Sequence, residues 1–64
     1  MNEVEEARRR ADWSQDEFAQ ALGVARHTII DAEAGRIDFG PKTWSKIRDV
    51  CAKRMAKYAK TGKG

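Results

Sequence analysis

The chain has 64 residues, 41% of them apolar and 36% charged, with a formal net charge of +3. A chain of about 60 residues buries only ~60% of its unfolded surface, so it supports one thin-cored domain, and this balance excludes a disordered polyelectrolyte. No apolar run approaches the ~18 residues of a membrane span, no signal-peptide pattern is present, and the single Cys51 and single His27 exclude an internal disulfide and a multi-ligand metal site.

The first predicted helix runs from about Glu3 to Ala11. Asn2 and Glu5 fit an N-cap and its reciprocal carboxylate. Glu3, Glu5 and Glu6 sit at the positive end of the helix dipole, and Arg8, Arg9 and Arg10 at the negative end. Val4 and Ala11 are spaced to face a core together with Trp13. A second helix starts at Ser14-Gln15-Asp16-Glu17, which fits a capping box. Phe18, Ala19 and Leu22 form its apolar face, and Gly23 is its stop, where a left-handed residue is easiest for glycine. Val24 anchors the turn. A third helix runs from about Arg26 to Ala34, with Ile29 and Ala32 inward, and ends at Gly35.

Residues 36–40 read as a loop closed by Gly40-Pro41, and Pro41 opens a fourth helix. Trp44, Ile47, Val50 and Cys51 follow at three- and four-residue spacing and should cap the core. No Gly or Pro ends that pattern, and Met55 and Tyr58 extend a weaker stripe amid Lys53, Arg54, Lys57 and Lys60. Residues 1–60 are therefore one domain, and 61–64 a frayed, disordered basic tail. The charge is uneven. Residues 1–25 hold three arginines against six carboxylates, net −3, and residues 26–64 hold ten basic groups against four acidic ones, net +6. A basic half on a small domain favours an anionic partner, most often nucleic acid.

The stretch from Ser14 to Gly35 has the form of a helix-turn-helix, whose second helix enters the DNA major groove. The pattern S-Q-x-E-F-A-x-x-L-G-V, then T-I, then E-x-G resembles the Cro/lambda-repressor-like (XRE) helix-turn-helix family. Arg8, Gln15, Glu17, Phe18, Ala19, Leu22, Gly23, Val24, Ile29, Glu33 and Gly35 carry the resemblance, over about Val4 to Cys51. It implies an all-α, compact four-helix lambda-repressor-like domain, here with helix four extended at the C-terminus.

The resemblance also assigns roles. Base contacts fall to Arg26, His27 and Asp31, with Thr28 and Ile30 nearby. Arg can bond G O6/N7 in bidentate fashion, Asp can accept from the C amino group, and Ile can touch a thymine methyl. Asp31, one turn from His27, could instead orient that ring. Gln15 would contact the DNA backbone and brace the Arg26 side chain. Arg36, Lys42 and Lys46 are the further backbone contacts, and Arg8 and Glu33 the structural ion pair. Three positions depart from the family. Ala25 replaces a Ser or Thr N-cap. Arg48 replaces a small buried residue, which implies a looser or shifted helix four. The usual Gly turn and fifth helix after Cys51 have no counterpart.

The resemblance implies a cytoplasmic, Cro-type repressor, phage-encoded, that binds a double-stranded DNA operator, either as a homodimer on it or as a monomer on a short asymmetric site. No cofactor, metal, membrane or small-molecule ligand is expected. A DNA-binding antitoxin using residues 52–60 to cover a toxin is the alternative, and a protein-interaction module that has lost DNA binding is a third. An enzyme is disfavoured, since one His, one Cys and no convergent carboxylate pair make no acid–base site.

Overall fold

The computed structural model describes residues 2–62, with side chains described through residue 57. Four helices follow in order: α1 (Glu3–Arg10), α2 (Gln15–Leu22), α3 (Arg26–Glu33) and α4 (Pro41–Gly62). The fold is all-α. The expected tail at 61–64 is described only to Gly62, as the end of α4, and its last two residues lie outside the described ones.

The three short helices all stop in the same way. After α1, the Trp13 N–H donates to the Arg8 carbonyl and the Asp12 N–H to that of Arg9, both at 3.0 Å. After α2, Val24 donates to Ala19 and Gly23 to Gln20; after α3, Arg36 donates to Asp31 and Gly35 to Ala32. Each is a paired six-to-one and five-to-two closure around one left-handed residue, which satisfies carbonyls the helix leaves free. Gly23 (φ 74°) and Gly35 (φ 81°) hold two of these positions at little cost, but the first is held by Asp12 at φ 61°.

The helix starts differ. Ser14 and Glu17 form a complete capping box, whereas Ala25 gives α3 no side-chain cap. The Asn2 side chain accepts from the Glu5 N–H, but the reciprocal half of that box is absent. The Glu5 carboxylate pairs instead with Arg9 at 3.1 Å, an i,i+4 cation within easy reach on the same face.

The core follows the apolar periodicity. Val4, Phe18, Ala19, Leu22, Ile29, Ala32 and Ile47 are buried together, and Phe18, Ile29 and Ile47 are its fully enclosed large side chains. Ala7, Trp13, Val24, Trp44, Val50 and Cys51 pack around it, half-buried. Phe39 joins them from the loop before α4, a position the helical periodicity does not reach. α2 packs on both α3 and α4, and α1 also packs on α3 and α4.

α4 is an unbroken helix of 22 residues, about 33 Å long at 1.5 Å per residue. Arg48 needs no looser helix, because the face that bears it is exposed while Ile47 turns into the core. The second half of α4 is fastened to the α1–α2 corner. Arg54 donates from Nε to the Ala11 carbonyl at 2.9 Å and from Nη2 to that of Asp12 at 3.0 Å. Its guanidinium also lies 4.1 Å over the Trp13 ring and 3.7 Å from the Glu17 carboxylate.

Candidate nucleic-acid interface

α3 is eight residues with two distinct sides. Ile29 and Ala32 enter the core, and Arg26, His27 and Ile30 are exposed on the other side. Thr28 and Asp31 are half-buried at the edges. The i, i+1, i+4, i+5 spacing of Arg26, His27, Ile30 and Asp31 makes one outward stripe. The uncapped start of α3 leaves backbone N–H groups free to donate to a phosphate.

The orientation of α3 is set by a polar node on its inner edge. Arg8 donates from Nε to Glu33 Oε2 at 2.5 Å and from Nη2 to Oε1 at 3.3 Å. The remaining Arg8 donor edge reaches the Trp13 carbonyl at 2.9 Å. Only 13% of the Arg8 side chain and 8% of that of Glu33 is exposed. Asn2 adds a bond from its amide to the Ala32 carbonyl at 2.6 Å, so the start of α1 is pinned to the last turn of α3.

Gln15 belongs to this node rather than to the start of α3. Its amide donates to Glu33 Oε1 at 3.2 Å, so it braces the carboxylate that Arg8 holds and not the Arg26 side chain. The physical reason is charge: the Gln15 N–H donates to the Glu33 carboxylate, and Arg26, a donor only, turns to the charged Asp16 rather than to a neutral amide oxygen. Arg26 faces a different partner, Asp16 of α2, with Nε 3.6 Å from the carboxylate. Asp31 does not orient His27. It accepts from Arg36 Nη1 at 2.9 Å, a charge-assisted bond to a permanent cation.

The basic groups at the edges of this surface are exposed. Lys42 and Lys46 lie in the first two turns of α4, and neither has an ion pair among the described residues. The Lys46 Nζ sits beside the α2–α3 turn, 3.7 Å from where a Cβ on Gly23 would stand. On this face sequence patterning misses Asp16, which reads only as a first-turn acid of α2, and its pairing with Arg26.

A family model described as helix-turn-helix matches residues 4–58. The chain belongs to the Cro/lambda-repressor-like, XRE-type helix-turn-helix family, a family of DNA-binding regulators. Neither the comparison with curated proteins nor that with solved structures gives a match. Among the described residues no His, Cys, Asp or Glu cluster could hold a metal ion, and no helix is long and apolar enough to cross a membrane.

Proposed function

We propose that this protein is a sequence-specific transcriptional repressor of the Cro type, reading an operator with the outward stripe of α3. The observation that carries the reading is the outward presentation of Arg26, His27, Ile30 and Asp31 from a helix whose inner edge is locked by Arg8, Gln15 and Glu33. Preorganised base-reading groups need such a rigid support. Arg26 reads a guanine, Asp31 accepts from a cytosine amino group, and Ile30 contacts a thymine methyl. His27 and Thr28 complete the contact, and Gln15, Lys42 and Lys46 lie along the phosphates, with Arg36 held back by Asp31. Repression follows from occupancy of the operator, and two copies on one duplex would place their α3 helices one turn apart, ~34–36 Å.

The test is selection of bound sites from a random duplex library by the purified protein. An enriched palindrome is expected. An enriched asymmetric site would keep the reader and remove the dimer, and no enrichment near physiological salt would remove sequence-specific reading. A second reading, a DNA-binding antitoxin, is favoured by a groove of about 440 Å³ between α1 and α4, floored by Trp44, Ile47, Cys51 and Met55. It lies away from the α3 stripe, so a toxin seated there would leave DNA binding intact. Co-purification of a small neighbouring-gene product with a Met55→Glu-sensitive contact would move the assignment to that reading.

A further inference from the structure

We infer that Asp16 is a positioning residue that makes Arg26 discriminate between sequences; this rests on the DNA-reading role of α3 proposed above. Arg26 is the first residue of α3, and Asp16 the second of α2. The carboxylate lies 3.6 Å from Arg26 Nε, with 60% of the Arg26 side chain and 70% of that of Asp16 exposed. A pair so exposed contributes little to folding. Its consequence is for what Arg26 does next.

A guanidinium on a flexible stem beside DNA finds a phosphate first, and that contact carries no sequence information. Asp16 changes the choice in two ways. Its closest approach is side-on, at Nε, which leaves the end-on hydrogens of the two terminal nitrogens, the pair that matches G O6 and N7. Its negative charge also repels a phosphate approaching the same guanidinium. Arg26 then gains most from a guanine edge, where both donors are used and Asp16 stays in contact.

The distribution of pairs across the surface supports this division. At the other end of α3 Arg36 is likewise held by an aspartate, Asp31, at 2.9 Å. Lys42 and Lys46 have no such partner among the described residues. The lysines thus supply sequence-independent attraction, and the arginines flanking the reading stripe are restrained.

The experiment compares wild type, Asp16→Asn and Asp38→Asn by fluorescence anisotropy. Each is titrated with the best selected duplex and with a scrambled duplex of equal length, over a range of salt. Asp38 is exposed and without an ion pair among the described residues, so Asp38→Asn gives the same charge change away from Arg26. Asp16→Asn is expected to bind the scrambled duplex roughly two- to fivefold tighter. Its salt slope on that duplex should steepen by up to about 0.9, one added phosphate contact. Its selected-to-scrambled ratio should fall. Equal shifts on both duplexes, matching those of Asp38→Asn, would overturn the positioning role while leaving DNA reading intact. A wild type that does not distinguish the duplexes would instead overturn DNA reading itself, and the role of Asp16 with it.

Discussion

Two arginines close on the same corner of this molecule, and they do so differently. Arg8 comes from α1 and Arg54 from the far half of α4, and both donate to carbonyls of residues 11–13. Arg8 also holds a nearly buried carboxylate, Glu33, that Gln15 helps to saturate. Arg54 lies flat on Trp13, with the exposed Glu17 as its charged partner. The first arrangement fixes the angle of α3. The second fastens a helix extension and leaves α3 untouched. The lesson is that burial, rather than the number of bonds, separates the two: removing a partner from a buried pair strands a charge, and removing one from an exposed pair returns it to water.

The largest effect expected from breaking this comparison is on the α3 side. Arg8→Ala should destabilise the protein by roughly 3–5 kcal/mol, because it leaves the Glu33 carboxylate buried without its cation. For a domain of this size that is a large fraction of the whole stability, about 0.05–0.15 kcal/mol per residue. Urea denaturation followed by far-UV circular dichroism measures it, and a loss below about 1 kcal/mol would put Glu33 in contact with solvent.

Arg54→Ala should cost less, about 1–2 kcal/mol, from two carbonyl hydrogen bonds and the stacking on Trp13. Arg54→Lys should recover little of it, since an ammonium cannot fork to both carbonyls while lying flat on a ring. The same denaturation experiment reads both, and full rescue by lysine would reduce the clamp to simple charge.

Asp12 sits where the two arginines converge, at φ 61°. Asp12→Gly should stabilise the fold by about 0.5–1 kcal/mol by relieving the left-handed strain, while keeping the carbonyl that Arg54 uses. A thermal midpoint that rises by a few degrees would agree, and a fall would show that the Asp12 side chain itself supports the corner.

The smallest effect concerns Cys51, one turn before Arg54 on α4, whose thiol lies 3.7 Å from the Ala7 carbonyl. Burial raises its pKa above the ordinary thiol value, and Trp13 opposes this only in part. The Trp13 indole N–H is buried but has no partner of good hydrogen-bond geometry, so its hold on a thiolate is weak. The folded state therefore keeps its proton more tightly than the unfolded chain. The contribution is complete below the unfolded thiol pKa of about 8.5 and is lost as pH rises beyond it. A slight alkaline loss of stability should disappear in Cys51→Ser; persistence of the loss would assign it to another group.

Much of the recognition side is local in origin and legible as such. The capping box at Ser14, the stops at Gly23 and Gly35, and the inward set Phe18, Ala19, Leu22, Ile29 and Ala32 depend on residues a few positions apart. Backbone satisfaction and helical periodicity then leave few alternatives. The partners on the α3 surface were less legible. Gln15, Asp16 and Asp31 each have several polar groups within a side chain's reach, and only the packing angle of the helices decides among them.

Four helices around one apolar core, with α2, a glycine turn and α3 as the helix-turn-helix unit, follow from the amino-acid order alone. Local propensity, capping and the spacing of apolar residues carry that information, and all act over a turn or two. It took the packing of the helices to make Glu33 collect Gln15 as well as Arg8, to turn Arg26 toward Asp16, and to bring Arg54 back over 43 positions to the Ala11 carbonyl. Those pairings join groups distant in sequence, and long polar side chains can serve many partners until the core brings one within bonding distance.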